Sequence, residues 1–297
     1  MNILAGCLRI VRPGNMLVCG LSVLSGGLLA GKPLDMLWGA LSASASGLPP
    51  EWFVRDLYAS MSASLILAAG NVHNDICDLT ADRVNVPGRP IPSGAVGRGT
   101  AGLLAAALAC AGLLLSFPLG PCGIAIACGA VLLLALYNIR LKGIPLAGNL
   151  AVAILGGLAF VYGGVASGAA TAASIPALFA VFFHLGREII KDAADVRGDR
   201  SAGVRTVATE WGAAAAAWWA AFVFILLGAA ASLPYVCGVF GLGYFLLIVG
   251  GVWPVLAYAA ASTLAHPSEA TLRTIAFILK LDMPVGVIAV LAGFQGW

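Results

Sequence analysis

Runs of about 20 apolar residues recur along this chain between short polar breaks, each long enough to cross the ~30 Å hydrocarbon core of a bilayer as a helix. Nine such spans are expected, near residues 14–31, 53–72, 99–117, 119–137, 145–167, 172–190, 209–231, 233–261 and 271–294. The fold class that follows is an all-α integral membrane protein. Composition agrees: with 10% charged residues, the chain lies far below the roughly 25% of soluble domains. No stretch reads as a separate soluble unit, so residues 1–297 are expected to form one polytopic domain.

Short cytoplasmic loops collect Lys and Arg, which orients the spans. With the N-terminus inside, the inner segments carry Arg9 and Arg12; Arg83, Arg89 and Arg98; Arg140 and Lys142; Arg187, Lys191, Arg197, Arg200 and Arg205; and Arg273. The outer segments hold only Lys32 and Arg55. An odd number of spans then leaves the C-terminus outside. The net charge of +3 arises mainly from these inner loops, so it reads as topology and headgroup attraction and carries no nucleic-acid implication.

Two aspartate triplets interrupt this apolar background: Asp75, Asp78 and Asp82 in NDICDLTAD, and Asp192, Asp195 and Asp199 in DAADVRGD. They hold six of the thirteen acidic residues, repeat one pattern, D-x-x-D-x-x-x-D, and fall on the same expected side of the membrane. On a helix this spacing turns all three carboxylates of a triplet to one face. Acids at the C-terminal ends of spans oppose the helix dipole, and neighbouring carboxylates repel by about 0.2–0.5 kcal/mol per pair. Bound divalent cations remove both penalties, which favours a metal site over a hydrated flanking segment. Oxygen-only ligands suit Mg²⁺, which readily shares its shell with substrate phosphates. The expectation is two Mg²⁺ ions, one per triplet, bridged by a diphosphate whose remaining charge meets Arg or Lys.

Other features carry less. Arg9 and Arg12 precede an apolar stretch, as in a secretory leader, but no small-x-small cleavage signal follows, so no removal is expected. The seven cysteines form no C-x-x-C pair and read as small buried side chains; the three histidines are too dispersed for zinc, and only His73 adjoins a triplet. Residues 32–52 form a long outer connection with a possible interfacial helix around Met36 to Ser42. Gly156, Gly157, Gly163 and Gly164 are expected to permit close helix contact.

NVHNDICDLTADRVNVPGRPIPSG, residues 71–94, resembles the first signature of the UbiA-type intramembrane prenyltransferases, N-x-x-x-D-x-x-D-x-x-x-D followed by R-P-I-P-S-G. REIIKDAADVRGDRSAGVRT, residues 187–206, resembles the second; RPGN at 12–15, YNIRLKG at 137–143 and ILKLDMPVG at 278–286 fall where the family keeps related segments. The resemblance spans nearly the whole chain. It implies nine transmembrane helices around a cavity opening sideways to lipid, with the aspartate motifs at its cytosolic mouth. Within the superfamily, the second signature and K-L-x-M-x-x-G in the last span are most similar to archaeal-type enzymes that add a second geranylgeranyl chain to geranylgeranylglyceryl phosphate, an ether lipid precursor. Ala194 and Arg197 depart from that form, which carries acids there.

The resemblance implies a prenyl diphosphate donor, a lipid-like hydroxyl acceptor and membrane lipid as partners, without indicating an oligomeric state. Metal and basic side chains stabilise the leaving diphosphate, an allylic cation forms in a water-poor cavity, and the hydroxyl attacks, giving its proton to an aspartate or to the released diphosphate. The metal set is Asp75, Asp78, Asp82, Asp192, Asp195 and Asp199, with Asn71 and Asn74 as amide ligands or orienting groups. Arg83, Lys142 and Lys191 are expected to neutralise the diphosphate, Tyr137 to donate a hydrogen bond, and Arg187 to join the substrate-binding set; Arg89 reads as ordering its own loop. Arg12 and Asn15 are placed for an acceptor or phosphate contact. Lys280 lies roughly 13 Å into the last span by helical rise, facing the cavity or snorkelling, and Asp282 is expected to pair with another span. An aromatic or quinone-precursor acceptor stays open. A secondary transporter fits less well, since transporters place charge near the bilayer centre in broken helices.

Overall fold

The computed structural model describes residues 3–29, 50–168 and 170–293, and every regular element among them is a helix. In chain order these are α1 (Ile3–Val11), α2 (Pro13–Leu28), α3 (Glu51–Cys77), α4 (Leu79–Asn85), α5 (Arg98–Ser116), α6 (Gly120–Ile139) and α7 (Ala147–Ala166). They continue with α8 (Ser174–Ala194), α9 (Val196–Ser201), α10 (Val207–Glu210), α11 (Ala213–Val236), α12 (Leu242–Ala265, with a π-helical turn at Ile248–Val252) and α13 (Glu269–Gly293). The interfacial helix expected around Met36 to Ser42 lies outside the described residues.

Seven helical stretches among the described residues are long and apolar enough to cross a membrane, against the nine spans read from sequence. Two physical features account for the difference. The stretch Arg98–Ile139 is 42 residues long and turns at Phe117–Leu119, where Pro118 interrupts the helix and Gly120 takes φ 77°, so α5 and α6 lie within it. The other is α3, 27 residues long, which carries Glu51, Arg55, Asp56, Asn71, His73, Asn74 and Asp75 and is therefore less apolar than its length suggests.

The bundle is built inside out. In α11 the buried face is Ala216, Ala217, Ala220 and Ala221, while Trp218, Trp219, Phe222 and Ile225 are exposed. Small residues inside let helix backbones approach, and large apolar residues outside are what lipid solvates. In water the same exterior would be an aggregation surface; this chain is a multi-pass membrane protein. The glycines of α7 work as expected: a Cβ on Gly163 would strike the Val23 carbonyl of α2, and one on Gly157 would lie 2.6 Å from the Ala177 carbonyl of α8. The larger core lies between α8, α11, α12 and α13, around Ile189, Phe224, Tyr244, Ile275 and Leu279.

Both aspartate motifs lie at one end of the bundle, where α4 and α9 pack against each other. At the other end Arg55 donates from Nε to the Ala166 carbonyl (2.9 Å) and from Nη2 to the Leu119 carbonyl (3.2 Å), satisfying carbonyls where helices stop.

Candidate active site and substrate cavity

The two triplets share one local fold, and it differs from the single helical face expected. Each middle aspartate ends one helix and precedes the next: Asp78 (φ −84°, ψ 5°) separates α3 from α4, and Asp195 (φ −101°, ψ 8°) separates α8 from α9. The break has an electrostatic reason. A continuous helix would hold the third aspartate in its C-terminal turns, against the dipole; restarting places Asp82 and Asp199 in the first turn of a new helix, where a carboxylate is favoured.

The first triplet is matched by three cations. Arg12 pairs with Asp75, Lys142 pairs with Asp78, and Arg89 Nη1 lies 2.6 Å from Asp82 Oδ2 and 3.3 Å from Asp75 Oδ1. Arg12 holds a left-handed backbone (φ 57°, ψ 69°), a strain of about 1–3 kcal/mol. Pro13 disfavours the α region for the residue before it, and the guanidinium reaches Asp75 and, at 3.5 Å, Asn71 Oδ1. Burial raises the Asp82 carboxyl above its ordinary range despite the pull of Arg89. Burial also works against the Arg89 charge, but Asp82 and Asp75 outweigh it and hold the guanidinium pKa above normal.

The second triplet is held differently. Asn149 Nδ2 donates to Asp192 Oδ2 at 2.7 Å, and Arg273 Nη2 lies 3.7 Å from Asp195 Oδ1. Asp199 is buried, and burial together with the charges of Asp192 and Asp195 pushes its carboxyl up to about 7, against the opposing pull of Lys142 and Lys191. Asn85 clamps the motifs together: its Nδ2 donates to the Asp195 carbonyl (3.0 Å), its Oδ1 accepts from the Gly198 N–H (3.1 Å), and a Cβ at Gly198 would strike its side chain. Arg197, inside the second motif, turns its side chain outward and pairs with Glu269 at 2.7 Å on the surface.

A cavity of about 250 Å³ opens beside the motifs and runs into the bundle between α2, α3, α6, α7, α8 and α13. Arg12, Asn15, Asn71, Asn74, Tyr137, Arg187, Lys191 and Lys280 all line it; Lys280 is also exposed at the edge of α13. Deeper walls are apolar, including Ile66, Leu67, Ala127, Ala130, Leu134 and Ala159. Arg83 is exposed on α4 and lines no part of this wall. Arg89, read from sequence as ordering its own loop, bonds Asp82 and Asp75 instead. Asp282 does not make the interhelical pair expected of it: it is buried, and among the described residues its Oδ2 has no hydrogen-bond partner.

Several site residues escaped the sequence reading. Glu188 is buried on the cavity wall and takes Arg187 Nη1 on Oε1 (2.8 Å) and Lys191 Nζ on Oε2 (3.0 Å), so it aims two cations that sequence could only enumerate. Asn138 accepts from Asn74 Nδ2 (3.1 Å) and its own Nδ2 lies 3.2 Å from His73 Nδ1. Asn149 had a legible signal as the one amide in an apolar span, where a polar side chain signals function. Asn85 had none, because its partners lie more than a hundred residues away.

The donor chemistry suits a hard cation: six carboxylates and the Asn71 and Asn74 amides, with no sulfur. Among the described residues no three acidic, His or Cys side chains form a compact cage, so an ion here must complete its shell with oxygens from elsewhere, as Mg²⁺ does with water and phosphate. A helical membrane bundle with a cation-rimmed, apolar-walled cavity beside paired acidic motifs is an intramembrane enzyme for a substrate with a charged head and a long apolar tail. A family model described as the UbiA prenyltransferase family matches residues 35–281, and this chain belongs to that family; it is a prenyltransferase. A digeranylgeranylglyceryl phosphate synthase from Thermococcus sibiricus is 31% identical over 287 residues, covering 96% of each chain. A solved structure of digeranylgeranylglyceryl phosphate synthase is 29% identical with a TM-score of 0.71, covering 99% of each chain. A UbiA homolog from Archaeoglobus fulgidus bound to GPP and Mg²⁺ shares the fold at 16% identity, with a TM-score of 0.57 over 96% of this chain and 99% of that one.

Proposed function

We propose that this enzyme transfers a geranylgeranyl group from its diphosphate to the hydroxyl of geranylgeranylglyceryl phosphate, in ether lipid biosynthesis. The observation that carries the reading is the cavity: cationic where it adjoins both aspartate motifs and apolar beyond, in a chain 31% identical across 96% of its length to a synthase of that lipid. Residues 1–297 act as one domain of nine spans, the N-terminus and cavity mouth cytoplasmic and the C-terminus outside; the inner-loop excess of Lys and Arg supports this orientation. A cysteine placed near Arg89, in a background without the native thiols, is expected to be labelled only from the cytoplasmic side and one after Trp297 only from outside. Labelling of both from one face would exclude an odd number of spans.

Asp75, Asp78, Asp82, Asp192, Asp195 and Asp199, with Asn71, would hold two Mg²⁺ ions. When bound, Mg²⁺ supplies the charge that stabilises the leaving diphosphate. Arg12, Arg89 and Lys142 are the counter-charges of the first triplet, and once its carboxylates are otherwise neutralised they can contact the diphosphate. Tyr137 and Lys191, on the wall beside the motifs, donate to its oxygens, Lys191 being aimed by Glu188. The apolar wall beyond keeps water from the allylic cation until the acceptor hydroxyl attacks.

The function is tested by incubating purified protein with geranylgeranyl diphosphate, Mg²⁺ and a panel of glycerol-phosphate and aromatic acceptors, then identifying the product by mass. Digeranylgeranylglyceryl phosphate is expected. Prenylation of an uncharged aromatic acceptor in its place overturns the assignment.

Asp199 makes a pH prediction. A carboxyl raised to about 7 must lose its proton to bind a cation, so Mg²⁺ affinity should weaken below that pH by up to about tenfold per unit for one displaced proton. In metal-free protein the sign for stability is the reverse of an ion-paired acid: the contribution is present below the unfolded carboxylate range and lost as pH rises through about 7. Calorimetric Mg²⁺ titrations on either side of neutrality check this, and a pH-independent affinity removes Asp199 from the ligand set.

A further inference from the structure

The apolar part of the cavity has a floor. Reading each wall from the motif end outward, the last lining residues are Ser22 on α2, Ala63 on α3, Ile126 on α6 and Tyr162 on α7. Tyr162 is the largest of the four and is 3% exposed. Its hydroxyl is tethered by Ser62. Ser62 Oγ gives its one proton to the Gly112 carbonyl at 2.7 Å, so the 3.1 Å contact between Ser62 Oγ and Tyr162 Oη has the phenol as donor. Gly112 lies where α5 meets α3, and a Cβ on it would sit 2.7 Å from Ile66 Cγ1 and 3.0 Å from the Ser62 carbonyl, so the acceptor end of this chain of hydrogen bonds is held by packed backbone.

The tube above this floor has a definite length. Between the first and last lining residues the helix rises about 15 Å along α7 (Val152 to Tyr162), about 16 Å along α3 (Asn74 to Ala63) and about 18 Å along α6 (Asn138 to Ile126). An extended carbon chain advances about 1.2 Å per bond, so a C20 prenyl tail reaches about 18 Å, a C15 tail about 13 Å and a C25 tail about 23 Å. The C20 tail is then the longest of the three that reaches the floor with its diphosphate still at the carboxylates, and a C25 tail exceeds every wall. Ala127, Ala130 and Ala159 line the tube with small side chains.

We propose that Tyr162, anchored through Ser62, is the residue that sets donor length: the prenyl tail of the diphosphate substrate ends against its ring. This rests on the reading of the enzyme as a prenyl-diphosphate transferase. The acceptor's tail leaves by the side of α13, where Lys280 is both on the wall and exposed.

The test compares C15, C20 and C25 prenyl diphosphates, both as substrates with Mg²⁺ and as ligands that raise the Tm without acceptor. For wild type, kcat/KM should fall at least about tenfold from C20 to C25, since a buried pocket discriminates tenfold or more for a single methylene. Tyr162→Ala should bring the C25 to C20 ratio to within about threefold of unity by opening the floor, and Ala63→Leu should move the preference to C15 by raising it. If Tyr162→Ala does not elute as a folded species, Ala63→Leu carries the test. Equal binding of C20 and C25 by wild type overturns the floor whatever the turnover. So does a folded Tyr162→Ala that keeps the wild-type ratio, or an Ala63→Leu that does not move the preference toward C15. Selective binding of C20 without transfer to any acceptor keeps the floor and overturns the functional reading instead.

Discussion

Asp192→Ala is expected to lower turnover at saturating Mg²⁺ by at least about a hundredfold to a thousandfold, the usual scale for deleting one group that stabilises transition-state charge. The fold should survive. Removing this carboxylate takes charge away from buried Asp199 and leaves only the Asn149 amide without its partner, at a cost of about 1–3 kcal/mol at most. Asp75→Ala should lose activity on the same scale but fold less well, because Asp75 accepts from both Arg12 and Arg89 and its removal leaves Arg12 without its carboxylate partner. Product formation followed by mass, with Tm measured in parallel, separates the two effects. Near-wild-type activity of both variants with Mg²⁺ present would eliminate the paired-motif metal site.

Lys280→Met should raise the acceptor KM about tenfold to a hundredfold, if KM reports binding, and leave the donor KM nearly unchanged, because a charge-assisted contact to a phosphate is worth about 1.5–3 kcal/mol. Methionine keeps the apolar stem of the side chain, so the comparison isolates the charge. Lys280 stands on the wall shared with Arg187, at the edge where the cavity meets the surface, and that location suits an acceptor whose phosphate enters the cavity while its tail stays in lipid. A lysine that only snorkels would leave both KM values within about a factor of two. That result would remove Lys280 from the site.

The membrane class, the two acidic motifs and most cavity residues were legible from sequence because each leaves a local signal. A run of apolar residues has a length, a triplet has a spacing, and a basic loop has a composition. Arg12, Asn71, Tyr137 and Lys191 were found because they lie within or beside such segments, and all four line the cavity. Spacing misled where it assumed a continuous helix. Asp78 and Asp195 end their helices, since the third carboxylate of each triplet is more favourable at a new N-terminus than in the last turns of the old one.

What the chain determined by itself, then, is that it lies in lipid as helices and carries two acidic motifs at one end of the bundle, because hydrophobic length and carboxylate spacing are properties of neighbouring residues. Tertiary structure alone decided which side chains meet at the site: Arg89 and not Arg83 on Asp82, Asn149 on Asp192, and Asn85 across the Asp195 carbonyl and the Gly198 N–H. The depth of the cavity and the ring of Tyr162 at its end belong to the same category. The Asn149 and Asn85 contacts join segments 43 to 113 residues apart, and side chains that share no segment leave no periodicity or spacing by which to be paired in advance.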